Sequence, residues 1–589
     1  MGWEAWLTLV VVLLSIVAMA KDFVPPAAAV LGATVILLLT GVVTSDEAFA
    51  GFSNAAPLTI AVLYIVAGAV SRTGVLTPLI ARSLNASASD RRTLATLLPP
   101  VAAASSVLNN TPIVAVLVPE MSAWAARRGK SPSRFLMPIS FAAILGGTVT
   151  VIGTSTNLVV SGLMDAAGLE PIGFFEMTKL ALPIAALGLL VVVLLAPRVL
   201  PDRIGTRREL TEFAREFVID MDVEQGGPLD GVTVEDGGLR HLAGVFLVQV
   251  ERDGEVNSAV APTMRLRAGD TLRFAGKADD VIDLHSMPGL ASGERDQFVG
   301  FNLARSNFFE AVVGASSNLV GSTLKEAKFR SRYSAAVVAI HRAGQRIDAK
   351  LGEVPLRVGD TLVVLADPGF RDRWRDGHDF LLVSPLSGPL PVTDKRGWWA
   401  VGVLLGVVAL AATGVMPILN AGLLGALAVM VLRIVTPGEA RRSIDLDVVL
   451  LIAGGIGLSS AITSSGLAEE LASLLVSGLD TFGSVGTLVG IVIATVMLTE
   501  VISNVAAASI VFPISVAAAA SLGSDPRGFA IAIAIAASAS FLTPIGYQTN
   551  VMVYGPGGYR YGDYSRLGAP LTAVVLVALT VGVPLFWGV

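Results

Sequence analysis

The sequence has no cysteine, four histidines and little charge. Without cysteine there are no disulfides and no thiolate metal sites, and redox compartment cannot be read. The histidines, His241, His285, His341 and His378, all lie in one polar region, which excludes a histidine-based metal site in the apolar segments. Asp, Glu, Lys and Arg make up 15% of the 589 residues, against roughly 25% in soluble domains. The net charge of −5 argues against a nucleic-acid partner. No metal cluster and no nucleophile–histidine arrangement points to an enzyme or a cofactor. What the chain does have is 53% hydrophobic residues and a mean hydropathy of +0.70. Apolar runs of about 20 residues, the length that spans a bilayer, recur along it. These features define a polytopic α-helical membrane protein.

Residues 4–20 end in "AMA", which mimics a signal-peptidase site, but no basic residue precedes them and Glu4 stands there instead. A first membrane helix is the expectation. Further spans are expected at 27–43, 57–71, 135–163, 179–197, 397–416, 418–435, 446–464, 529–556 and 568–588. Two interrupted segments cover 94–126 and 484–522. Loop charge orients this map. Arg72, Arg82, Arg91 and Arg92 precede the first interrupted segment, and Arg127, Arg128, Lys130 and Arg134 follow it. A segment basic at both ends reads as a re-entrant hairpin opening to the cytoplasm. Glu469, Glu470 and Asp480 precede the second and Asp525 follows it, so that hairpin opens outward. The map closes with ten spans and two hairpins, both termini outside.

The two halves repeat. "SSVLNNTPIVAVLVP" (105–119) aligns with "TEVISNVAAASIVFP" (499–513) at an offset of 394, and "GTSTN" (153–157) with "GYQTN" (546–550) at 393. Five spans per half make the repeat inverted, an arrangement in which discontinuous segments meet at the midplane. The expected fold is therefore an inverted repeat of five spans plus one re-entrant hairpin each, residues 1–200 and 396–589, around an inserted cytoplasmic α+β region. That region is itself duplicated at an offset of 90: "LDGVTV" (229–234) with "LVGSTL" (319–324), Arg252 with Arg342, and "GDTLRF" (269–274) with "GDTLVV" (359–364). Strand-like runs and "RDG" and "RAG" turns divide it into modules 201–295 and 296–395.

Hydrocarbon supplies no water to exposed backbone, so a break such as Asn109-Asn110-Thr111-Pro112 must line a cavity. Asn or Thr caps the returning half-helix, and Pro112 suits its first turn. The half-helix N-terminus offers N–H groups to an anion, while nearby carbonyl, Asn and Ser oxygens suit a monovalent cation. Gly153 and Gly546 permit unwinding, and Asn157 and Asn550 add amides. Glu500 is an intramembrane acid that keeps proton coupling open.

With these motifs the chain resembles the divalent anion:sodium symporters. "ASASFLTPIGYQTNVMV" (537–553) fits that family's region small-Ser-x-x-Phe-x-x-Pro-aliphatic-small-x-x-x-Asn-x-aliphatic-Val, and "NNT" (109–111) and "SNV" (503–505) stand where its Ser-Asn-Thr signatures fall. The polar modules resemble TrkA/RCK C-terminal domains, as in the sulfate-permease-like branch. The resemblance implies one sodium site at Ser105, Asn109, Asn110 and Gly153 and another at Thr499, Ile502, Ser503, Asn504 and Gly546. It implies an anion site at Asn110, Thr111, Ser503 and Asn504, with Asn157 and Asn550 close by. It also implies a homodimer with an elevator-like motion; the expected location is a bacterial-type inner membrane, with 201–395, which the loop charges place in the cytoplasm, regulating transport by binding a small ligand or by dimer contacts.

Val505 replaces the second signature threonine and deletes a hydroxyl, which favours a compact oxyanion, sulfate first, over a molecule with two separated carboxylates. The expected function is sodium-coupled sulfate import. The alternatives are a sodium- or proton-coupled di- or tricarboxylate transporter and a ligand-gated cation channel or antiporter. No TVGYG-like filter and no paired intramembrane aspartates support the last class.

Overall fold

Helix breaks fall where Asn, Thr, Pro and Gly interrupt the apolar runs. The structure, a computed structural model, describes residues 2–21, 23–75, 89–203 and 396–589. It also describes 218–385, apart from 241, 243–244, 253–254, 258–259, 277–286, 293–307, 315–316, 343–344, 348, 350, 368 and 375–378. The first half runs Trp3–Ala20, Pro26–Leu39, Ser45–Ser53, Ala55–Arg72, Asp90–Ser105, Asn110–Arg127, Leu136–Gly147, Ser155–Ala166 and Thr178–Val199. The second runs Gly397–Ala412, Ile418–Val431, Pro437–Ser443, Leu446–Ser464, Leu467–Leu479, Gly483–Thr499, Asn504–Ser521, Pro526–Ala537, Gln548–Tyr554 and Tyr561–Trp587. Element follows element in the same order. The counterpart of Leu467–Leu479 lies outside the described residues.

Six helices among the described residues are long and apolar enough to cross a membrane by length and composition, seven if the pair Leu467–Gly478 and Gly483–Thr499, bent by 120°, counts as one. Side chains such as Leu187, Val577 and Leu585 are more than half exposed on outer helices, as lipid-facing residues are. The helix Leu136–Gly147 is buried throughout, and so is Pro526–Ala537 from Gly528 on.

Several expected boundaries differ. Segments 135–163 and 529–556 are each two helices, broken at 148–154 and 538–547. The stretch read as an acidic loop before the second hairpin forms the helix Leu467–Leu479, whose apolar stripe of Leu467, Ala468 and Ala472 is buried while Glu469 and Glu470 sit in its first turn. That is the period-3.6 pattern of an amphipathic helix. The short helices Ser45–Ser53 and Pro437–Ser443 start at matching capping boxes, Thr44 with Glu47 and Thr436 with Glu439. Each satisfies two orphan amides reciprocally.

The inserted region builds two sheets. Strands β1 (Val218–Val223), β2 (Val245–Arg252), β3 (Glu255–Asn257), β4 (Thr271–Gly276) and β5 (Leu290–Ser292) order as β3-β2-β4-β1-β5. Strands β6 (Phe308–Val313), β7 (Ala335–Arg342), β8 (Gln345–Arg346), β9 (Thr361–Ala366) and β10 (Phe380–Pro385) order as β10-β6-β9-β7-β8. Read from the other edge, the second order is the first. The repeat extends to one ion pair. Arg252 donates to both carboxylate oxygens of buried Asp270 and to the Arg265 carbonyl, and Arg342 does the same to buried Asp360 and to the Pro355 carbonyl. The Asp360 carboxylate holds the Arg342 guanidinium above its ordinary range.

Removing one partner leaves a buried charge uncompensated. Arg342→Ala is expected to cost the second sheet about 3 kcal/mol, seen as faster hydrogen exchange of the β9 amides. Unchanged protection would contradict this.

Candidate functional site

Between Asp90–Ser105 and Asn110–Arg127 the chain turns in four residues, with Pro112 in the first turn of the second helix. Ser105 Oγ donates to Asn110 Oδ1 at 2.5 Å, and both residues are buried. The unwound stretch 148–154 closes over this turn. A β-carbon on Gly153 would lie 2.5 Å from the Gly147 carbonyl oxygen and 2.9 Å from that of Ser105. One on Gly147 would lie 2.6 Å from Asn110 Oδ1. Only glycine lets these main-chain segments approach so closely. The result is a buried cluster of neutral oxygens: the Ser105 hydroxyl and carbonyl, the Asn110 amide oxygen and the Gly147 carbonyl. Unwound carbonyls and amide oxygens of this kind suit sodium.

The second half builds the same cluster. Thr499 Oγ1 lies 2.8 Å from Asn504 Oδ1 and 2.6 Å from the Ala537 carbonyl, and Ser540 Oγ donates to Asn504 Oδ1 at 2.9 Å. A β-carbon on Gly546 would lie 3.2 Å from the Thr499 carbonyl oxygen. Ser503 caps Asn504–Ser521 by accepting from the Ala506 N–H. Ile502 is buried behind the turn.

Further contacts recur at the same offsets. Asn157 Nδ2 donates to the Gly147 and Thr150 carbonyls (3.2 and 2.8 Å), and Asn550 Nδ2 to those of Ser540 and Thr543 (2.8 and 3.3 Å). Thr150 Oγ1 donates to the Ser106 carbonyl and Thr543 Oγ1 to the Glu500 carbonyl. The paired asparagines thus brace the unwound loops with their N–H groups. Their oxygens differ. Asn550 Oδ1 accepts from Ser140 Oγ at 2.7 Å, whereas buried Asn157 Oδ1 has no partner among the described residues. Ser140 corresponds to Ile533, so the second half offers Asn157 no matching hydroxyl.

The halves meet at the first turn. Asn110 Nδ2 donates to the Tyr547 hydroxyl at 3.0 Å, and Thr111 Oγ1 to Gln548 Oε1 at 3.2 Å. The helix Asn504–Ser521 in turn packs on Ser155–Ala166. Ser503 and Asn504 bond within their own half. Asn109 Nδ2 donates to the Tyr64 hydroxyl, and the two line a cavity with Val107, Ile152 and Ser155. Asn109 therefore sits beside the oxygen cluster rather than bonded into it. Glu500 accepts from the Leu542 and Thr543 N–H groups at 2.7 and 2.8 Å, which fixes its orientation.

Thr150, Thr543, Ser540, Ser140, Tyr547 and Gln548 escaped the reading of the sequence. Thr-x-x-Gly at 150–153 and 543–546 was the available signal for the first two. Ser540 acts within its own half with no local signal, and Ser140, Tyr547 and Gln548 depend on packing between halves.

A family described as CitMHS, citrate transporter, matches residues 10–534. A Chlamydomonas reinhardtii protein named as a sulfur deprivation response regulator is 35% identical, over 94% of this chain and 96% of its own. An uncharacterized transporter of Synechocystis is 33% identical over 99% and 97%. Sodium/sulfate cotransporter 2 of Chlamydomonas reinhardtii is 26% identical over 98% and 89%.

Proposed function

The chain belongs to the CitMHS citrate transporter family and is an integral membrane transporter rather than an enzyme, and from that premise we propose that it imports a divalent inorganic anion, sulfate first, driven by sodium. The observation that carries this reading is the duplicated oxygen cluster, Ser105–Asn110–Gly147–Gly153 and Thr499–Asn504–Ser540–Gly546, each beside a half-helix start. Each cluster takes one sodium ion. The anion lies between the turns, against Asn110, Thr111, Ser503 and Asn504 and the free N–H groups of the half-helices.

The charge balance explains the coupling. A dianion alone in a low-dielectric site is prohibitively costly. Two sodium ions offset the two charges of one sulfate. Each ion also ties a turn to its unwound loop, which positions the anion donors beforehand.

Two features favour sulfate over a dicarboxylate. Val505 is buried and brings no hydroxyl. The Tyr547 hydroxyl, accepting from Asn110, keeps its own proton to donate toward a compact oxyanion. Two relatives named as sodium/sulfate cotransporters cover nearly the whole chain. An excess of unlabelled thiosulfate or selenate should compete with labelled sulfate, and an equal excess of succinate or citrate should not. Effective competition by succinate would move the assignment to dicarboxylates. Tyr547→Phe is expected to raise the KM for sulfate roughly 5- to 10-fold, the worth of one hydrogen bond of ~1 kcal/mol to a charged partner or slightly more. An unchanged KM would remove Tyr547 from the anion site.

The protein works in this reading as a homodimer in a bacterial-type inner membrane, moving its anion site by an elevator-like motion. The TrkA-C-like modules 201–295 and 296–395 lie in the cytoplasm and regulate transport by binding a small ligand.

A further inference from the structure

The two cytoplasmic sheets share a topology but not an outer face. Strand pairing sets Leu382, Val312, Thr361 and His341 in one row of the second sheet, with Glu310 and Val363 in the next. All six are buried. They lie opposite the face of Phe309, Ala311, Leu362 and Val364, which packs the module's own core. In the first sheet the counterparts of Val312, Val363 and His341 are Asp222, Arg273 and Glu251, all partly exposed. Duplicated modules have diverged on one face: charged and wet in the first, largely uncharged and covered in the second.

The cover is the transport site's own scaffold. Strand β10 packs on Asn110–Arg127 and on Gln548–Tyr554, and Val312 and Leu382 join the core of the membrane part. Gly359, at φ +81°, lets the turn before β9 lie flat on the half-helix. A β-carbon there would sit 3.5 Å from both Val551 and Tyr554. A β-carbon on Gly555 would collide with Thr361 Oγ1 and lie 3.4 Å from Thr361 Cβ. One contacted helix begins with Asn110 and Thr111, and the other carries Asn550.

We infer that the outer face of the second module, through Val312 and Leu382, is a positioning element of the anion site, holding the helices Asn110–Arg127 and Gln548–Tyr554 beside it. The inference rests on the proposed anion site for its function but not for its contact.

The absence of native cysteine gives a direct test. A Cβ–Cβ separation near 3.4 Å is close to the ~3.5–4.5 Å of a disulfide. The full-length Thr361→Cys/Gly555→Cys double variant should therefore cross-link within one chain under mild oxidation, and neither single variant should. A folded double variant that stays reduced would overturn the docked arrangement. This arm needs no substrate, so it separates failure of docking from failure of the transport reading. Gly555→Ala should raise the KM for sulfate roughly tenfold by pushing Thr361 away, about 1.4 kcal/mol. Adding Thr361→Ala, which removes the colliding Oγ1, should restore the KM to within about threefold of the parent protein, and Thr361→Ala alone should be near neutral. A Gly555→Ala protein with an unchanged KM, or with a defect that Thr361→Ala does not relieve, would overturn the positioning role.

Discussion

Asn110→Ala is expected to abolish sodium-driven anion uptake, a fall of more than about 100-fold, with the protein folded and inserted. Asn110 has two jobs in one buried amide. Its oxygen accepts from Ser105 and faces Gly147, and its N–H donates to Tyr547 in the other half. Alanine deletes a cation ligand and an anion-site brace together. It also strands the Ser105 and Tyr547 hydroxyls, at about 1–3 kcal/mol for each buried polar group left unpaired. At 1.4 kcal/mol per tenfold, the middle of that range for the two groups, about 4 kcal/mol, exceeds 100-fold. Asn504→Ala should behave alike, since Asn504 Oδ1 lies within hydrogen-bond distance of both Thr499 and Ser540. The readouts are uptake in vesicles and the elution profile of the purified protein. Sodium-dependent uptake surviving in both variants would remove the two clusters from the mechanism.

Gly153→Ala should be almost as severe, and Gly546→Ala clearly milder. The added carbon at 153 meets two main-chain carbonyl oxygens, of Gly147 and Ser105, at 2.5 and 2.9 Å, plus Gly147 Cα at 2.9 Å. Backbone cannot swing aside, so the unwound loop must lift off the turn and open the first cluster. At 546 the nearest atoms stand at 3.1–3.2 Å, one of them in the Glu500 side chain, and a shift of a few tenths of an ångström relieves them. The expected signature is a higher sodium requirement: more than ~10-fold for Gly153→Ala, from over 1.4 kcal/mol of lost binding, and within a few-fold for Gly546→Ala. Equal effects would mean that the two clusters are not built as the structure has them.

Much of this site was legible in the sequence because duplication leaves a pattern. The offsets of 394 and 393 that align "VLNNTPIV" with "VISNVAAA" and "GTSTN" with "GYQTN" are the offsets at which Ser105, Asn110, Asn157 and Gly153 match Thr499, Asn504, Asn550 and Gly546 in space. The offset of 90 likewise anticipated the paired arginines of the two sheets. What stayed hidden depends on contacts between distant segments. Nothing local marks Ser140 as the partner of Asn550, 410 residues away. Nor does "GYQTN" reveal that its tyrosine and glutamine reach the opposite half. The helix Leu467–Leu479 was missed because its two glutamates were weighed as loop charge instead of as the acidic first turn of an amphipathic helix. The docking face of the second module was hidden because a neutral sheet face looks the same whether it covers its own core or another domain.

The measurement that bears most directly on the central claim is uptake of labelled sulfate into proteoliposomes of the purified full-length protein, with inward sodium and proton gradients imposed separately. The account predicts accumulation under the sodium gradient, none under the proton gradient alone, and loss of accumulation in Asn110→Ala. Accumulation driven by protons alone, or sulfate uptake indifferent to sodium, would contradict it.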